Sequence, residues 1–218
     1  ADVRIMGGLY ANAFGQSNAQ GGKLDGDSYH DLLISSLQET PPTYRGAAYV
    51  VKGAAGIAGV QTKVNVLTSG RVVRVAGGNS SFGFGFHTAG IGDINGDGKA
   101  EFAVSEPYNG SSKQGKVYVF TLGGSKVPTS AADAVIVVNN DNTITANALT
   151  GRGLANGAVL DPIKGADVNK DGRAELAFSG WNFNASSQKY GQVYMFNGKA
   201  GLLNKPVTYK LSDADYTW

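Results

Sequence analysis

Cysteine is absent from these 218 residues, so neither a disulfide framework nor a thiolate metal site is available. Histidine occurs twice, as His30 and His87, each isolated from the other. No Ser/His/Asp arrangement is suggested, so His30 reads as a surface or capping residue and the chain is expected not to be an enzyme. No apolar run approaches the roughly 18 residues of a bilayer-crossing helix, so no membrane span is expected. Charge of one sign is lacking too. The formal net charge is +2, from 19 basic and 17 acidic side chains, which excludes a strong field for nucleic acid or a membrane surface.

Glycine is abundant, with 32 residues and no collagen period, about twice ordinary usage. At that density, beside a 42% hydrophobic content, it implies a buried core interrupted by many tight turns, hence many short strands. The start Ala1-Asp2-Val3 suits a mature end left by signal cleavage, in keeping with a secreted chain.

Three segments align without force: Gly22 to Ser35 (GKLDGDSYHDLLIS), Gly92 to Ser105 (GDINGDGKAEFAVS) and Ala166 to Ser179 (ADVNKDGRAELAFS). Their first loop positions, Lys23, Asp93 and Asp167, are 70 and 74 residues apart. A glycine and an alternating aromatic strand follow each in step: GAAYVV from Gly46, GKVYVF from Gly115 and GQVYMF from Gly191. Upstream, Val3 to Gly8 (VRIMGG) matches Val73 to Gly78 (VRVAGG), and a fainter version lies around Ala146 to Gly151. Each unit therefore reads as four short antiparallel strands: a Val/Ile strand, a segment leading to the loop, an apolar strand and the Gly-x-Val-Tyr strand. Repeats of this size and strand content predict an all-β fold of β-propeller blades. The units run over 1–70, 71–142 and 143–210, and 211–218 reads as the first strand of a further one. Propellers close with roughly 4–8 blades. Three form an incomplete ring, so the expected partners are other copies of the chain or the missing blades of a longer one. Ala54 to Leu67 has a helix-like run, but its Val/Thr content and glycines favour strand.

The loops alternate oxygen donors with turn residues, which is what a hard cation needs; calcium takes six to eight oxygen ligands. In the second loop Asp93, Asn95 and Asp97 stand at positions 1, 3 and 5, the Lys99 carbonyl at 7 and Glu101 at 9. The third repeats this with Asp167, Asn169, Asp171, the Arg173 carbonyl and Glu175, with Lys170 in place of the first interior glycine. In the first loop Asp25, Asp27 and Asp31 hold positions 3, 5 and 9, but position 1 is Lys23. Its ammonium repels a divalent ion or takes the ion's place as an internal salt bridge. An EF-hand does not fit, because the last acid falls at position 9 rather than 12 and a strand follows.

The Asp-x-Asn-Gly-Asp-Gly-x-x-Glu loop, the Phe-Gly pairs nine residues before it (Phe14-Gly15, Phe84-Gly85) and the Gly-x-Val-Tyr-Val-Phe strand resemble FG-GAP repeats. These are the blades of the integrin α-subunit propeller and of many bacterial surface proteins. The third unit departs, with Ala158 where the phenylalanine stands, and the Gly-Ala-Pro element survives loosely as Ser105-Glu106-Pro107. The resemblance implies loops that bind Ca2+ and brace the blades, and faces that contact partners. The function expected is a calcium-stabilised structural or adhesion module, secreted or at the cell surface, engaging a protein or glycan ligand. The rival reading is a carbohydrate-binding lectin, or the non-catalytic propeller of a polysaccharide-active enzyme. That reading rests on aromatics expected in exposed turns, Pro107-Tyr108-Asn109 and Trp181-Asn182-Phe183. Tyr49, Tyr118 and Tyr194 recur in the alternating strand and are core first, and Trp218 is expected to pack on a neighbouring blade or another copy.

Overall fold

Valine, tyrosine and phenylalanine at alternate positions, punctuated by glycine, fold into strands along the whole described chain. The computed structural model describes residues 3–7, 11–39, 45–57, 62–66, 68–77, 83–109, 114–122, 134–137, 149–150, 167–185, 188–203, 207–210 and 213–217. No α-helix forms among them. Within the 54–67 stretch Thr62–Asn65 is strand, residues 54–57 run through a turn, and residues 58–61 and 67 lie outside the described residues. Ala158, Trp218, residues 1–2 and most of the Asn/Ser turn clusters lie outside the described residues, as do the side chains of Tyr108 and Trp181.

Three sheets carry the repeats. The first runs β2 (Ala11–Gly22), β3 (Asp31–Glu39), β4 (Arg45–Val51) and β6 (Val72–Ala76), all antiparallel. The second runs β7 (Thr88–Gly92), β8 (Glu101–Asn109), β9 (Gln114–Thr121) and β10 (Ala134–Val137), with β14 (Val207–Lys210) added parallel to β10. In the third, β11 (Leu149–Thr150), β12 (Leu176–Ala185) and β13 (Gln188–Phe196) are closed by β15 (Tyr216–Thr217). A separate ribbon pairs β1 (Val3–Met6) in parallel with β5 (Thr62–Asn65).

The strand phase differs from the sequence register by one element. Val72–Ala76, which opens the second sequence unit, bonds to Arg45–Val51 as the outer strand of the first sheet. Tyr216–Thr217 likewise bonds to the third sheet, Met195 opposite Tyr216, so within this chain it closes a blade. The ribbon repeats an arrangement seen inside the molecule: β5 lies parallel to β1 as β14 lies parallel to β10. By that likeness β1 holds the place of the outer strand of a preceding blade.

The sheets stack through their faces. In β9, Tyr118 and Phe120 join Leu24, Leu33, Val50 and Val75 of the first blade, whereas Val117 and Val119 join Phe178, Tyr194 and Phe196 of the third. Strands buried on both faces explain why these runs are apolar at consecutive positions. Tyr49, Tyr118 and Tyr194 are all buried. The Phe-Gly pair works at this seam. Phe84 is fully buried edge-on to Tyr118, and the chain there lies so close to Gly46 that a β-carbon would sit 1.6 Å from the Phe84 carbonyl oxygen. Gly85, at φ +80°, packs on the Ala47 carbonyl in the same way, while Gly15 in the first blade meets open space. The expected exposed turns at 107–109 and 181–183 are instead strand, the ends of the long β8–β9 and β12–β13 hairpins. Pro107 has no N–H for the ladder, and the pairing skips there between Glu106 and Asn109.

Candidate metal centre

Each acidic loop joins a blade's first strand to its second or runs into the second, so the ladders on either side fix its ends. Position 9 does the closing. Asp31, Glu101 and Glu175 are buried, and each accepts the N–H of the residue at position 2: Leu24 (3.0 Å), Ile94 (3.0 Å) and Val168 (2.5 Å). Position 1 ties the turn. Asp93 Oδ1 accepts from Gly96 (2.6 Å) and Asp97 (3.0 Å), and Oδ2 from Gly98 (2.8 Å). Asp167 does the same for Asp171 and Gly172, both at 2.9 Å. Asn95 and Asn169 accept from position 5, and Asp97 and Asp171 accept from position 7. These nested bonds bring the oxygen donors of a short segment to one side of the turn.

The electrostatics of the second and third loops suit a cation. Burial pushes the Glu101 carboxyl up to about 8, and the Asp97 and Asp93 charges add to the rise against the opposing Ile94 N–H. Glu175 is raised for the same reasons, burial first and then Asp167 and Asp171. Carboxylate oxygens of Asp167, Asp171 and Glu175 lie within 4.8 Å of one another. Glu175 Oε1 is buried with no hydrogen-bond partner among the described residues, an uncompensated acceptor beside two acids. In the second loop Oε1 of Glu101 meets only the Asn95 side-chain amide, at 3.3 Å. An all-oxygen donor set with a buried glutamate facing two aspartates fits a hard divalent ion. Asp93, Asn95, Asp97 and Glu101, with the Lys99 carbonyl, would hold one, and Asp167, Asn169, Asp171 and Glu175, with the Arg173 carbonyl, another.

In the first loop the acids at positions 3 and 9 are met by groups of the chain itself. Asp31 is one methylene shorter than glutamate, and both its oxygens are taken by backbone N–H groups, Oδ2 by Leu24 and Oδ1 by Gly53 (2.9 Å). Asp25 pairs with an ammonium at 3.4 Å, but the partner is Lys52 at the end of the aromatic strand. Lys23, the residue the sequence puts in that role, is exposed. Asp27 accepts the N–H of Tyr29, at 2.7 Å, as the position-5 acids of the other two loops do from position 7. Lys52 and Gly53 lie more than twenty residues beyond Asp25 and Asp31, outside any loop motif, and carry no sequence mark of their role.

The loops are also bonded to one another. Ala100 N–H donates to the Lys23 carbonyl (3.1 Å), and Ala174 N–H donates to the Asp93 carbonyl (2.8 Å). The Lys99 side chain covers Gly26, and the Arg173 guanidinium covers Gly96, so position 4 is crowded by the loop that follows. Lys170 holds that position in the third loop at φ +64°, a left-handed conformation that disfavours any residue but glycine.

Comparison with known proteins matches the middle of the chain to a repeat family. The FG-GAP repeat family matches residues 84–120, from the buried Phe-Gly pair through the second loop to the aromatic strand. Integrin alpha-PS2 of Drosophila melanogaster is 34% identical over 117 residues, 53% of this chain and 8% of that protein. Integrin alpha-IIb of Mus musculus is 33% identical over 130 residues, 56% of this chain and 12% of that protein. Integrin alpha pat-2 of Caenorhabditis briggsae is 31% identical over 158 residues, covering 70% and 11%. The chain thus spans about a tenth of the length of these relatives. Residues 84–120 match the FG-GAP repeat, a β-propeller blade, and the all-β chain around them is similar to integrin α chains.

Proposed function

We propose that the chain is a calcium-stiffened adhesion module that works in the extracellular space, on a secreted protein or at the cell surface. The observation that carries this reading is the buried glutamate at position 9 of the second and third loops, its carboxyl raised by burial and by two neighbouring aspartates in each and, in the third, grouped with their oxygens. Without a cation these carboxylates repel one another in a poorly solvated site. With one, each loop becomes a rigid strut at the seam between blades. The inter-loop hydrogen bonds pass that rigidity along the stack, and the blade faces are left to hold a protein or glycan partner. The similarity to integrin α chains supports the adhesion role, and no helix among the described residues is long and apolar enough to cross a membrane.

Further blades belong to the proposal. Position 2 is buried against the next blade at Leu24 and Ile94, yet Val168 is 55% exposed. Together with the lone outer strand β1, this leaves both flanks of the stack suited to blades supplied by other copies or by a longer chain. Light scattering with and without calcium reads the self-assembly arm, which a strictly monomeric species would remove.

Thermal melting tests the calcium reading. Free calcium 100-fold above the dissociation constant adds about 2.7 kcal/mol per site. For two sites the melting temperature should fall on the order of 10 °C when the chelator EDTA is added. An unchanged value would end the reading.

A further inference from the structure

Beyond calcium, a cleft of about 440 Å³ runs across all three acidic loops, lined by Lys23, His30, Lys99 and Arg173 among glycine and alanine backbone. Among the described residues, Lys23, Lys99 and Arg173 form no ion pair, so each blade contributes one uncompensated cation. The two aspartates at the cleft, Asp93 and Asp167, are turned into their own loops, their oxygens held by backbone N–H groups. The Arg173 Nε is buried with no hydrogen-bond partner, an unusual cost for a guanidinium to carry. Three cations, one from each blade, thus line the cleft against two aspartates.

We infer that this cleft binds a linear acidic polysaccharide, with its carboxylate or sulfate groups seated on the row Lys23, Lys99 and Arg173. One cation per blade favours a ligand with anionic groups repeated along its length over a single small ion. Glycine and alanine walls let a strand approach the backbone closely. Single-stranded nucleic acid fits less well, because among the described residues the cleft lining offers no row of aromatic rings for bases to stack on. The inference does not require calcium, but cations in the second and third loops would neutralise the acids beneath the cleft and strengthen the binding.

The test is biolayer interferometry of the full chain against heparin, polygalacturonate, neutral dextran and single-stranded DNA, each with calcium and with EDTA. Binding is expected to heparin, to polygalacturonate or to both, and the better of the two identifies the anionic group. It should weaken as salt is raised. Lys99→Ala and Arg173→Ala should each weaken it roughly tenfold, and Arg71→Ala, a change at an exposed turn outside the cleft, should leave it unchanged. Should a cleft variant fail to melt cooperatively, Lys23→Ala serves, because that side chain is exposed and supports no described contact. No binding to either acidic polymer overturns the proposal. So does equal binding to dextran or DNA, or an affinity untouched by the cleft variants. Lys99→Ala and Arg173→Ala keep the backbone carbonyls assigned to calcium, so calcium uptake measured on them separates failure of the cleft from failure of the loop assignment.

Discussion

Glu101 condenses the physical question into one side chain. It is fully buried, its carboxyl is raised to about 8, and its neighbours are acids. Because that value lies above the ordinary 4.5, the folded ion-free chain holds the proton more tightly than the unfolded chain does. The resulting stability is complete below about pH 4.5 and is lost as pH rises toward about 8. In EDTA the melting temperature should therefore drop across that window, and Glu101→Gln should flatten that part of the profile. Calcium should reverse the preference by stabilising the ionised form, so that binding near neutral pH releases a proton, measurable by calorimetry in buffers of different ionisation enthalpy. Lys170 offers a second test at this scale. Its left-handed conformation costs on the order of 1 kcal/mol, so Lys170→Gly should raise the stability by about that amount in a urea titration. Lys170 was legible in the sequence as a departure from the loop pattern. Its contrast with the other loops was not, because only the structure shows that the next loop's side chain crowds position 4 at Gly26 and Gly96.

At the scale of elements, the seams between blades decide what a residue is for. Gly46 opens the aromatic strand and reads in the sequence as turn punctuation. In the structure it is the point where the next blade's Phe-Gly segment touches the strand backbone. A β-carbon there would collide with main chain, which has no rotamer to yield, so Gly46→Ala should cost at least about 3 kcal/mol or prevent folding. Gly70→Ala is the control: a β-carbon at Gly70 meets nothing within 4 Å, and its change should stay within about 0.5 kcal/mol. Strand composition was readable from alternation and glycine spacing, since both are local. The ownership of the outer strands was not. Val72–Ala76 sits in the sequence register of Val3–Met6, and only sheet pairing shows that it completes the blade before it. The first loop's state depends in the same way on Lys52 and Gly53, which the fold brings back from beyond the next two strands.

Taken as a whole, the molecule is a stack of three sheets with a row of loops along one edge, each loop bonded to the next. The repeat spacing made that architecture legible, because duplication leaves three markers in one register. The difference between loops was only half legible. Lys23 announced that the first was unlike the others, but the side chains that lock it are Lys52 and the doubly bonded Asp31. Two loops are therefore expected to take calcium and the first is not. Calcium stoichiometry, by isothermal titration calorimetry on the chelator-stripped chain with direct metal analysis, tests this most directly. Two ions per chain are predicted, falling to one in either Asp93→Ala or Asp167→Ala and staying at two in Asp25→Ala. No bound ion, or three, would contradict the account.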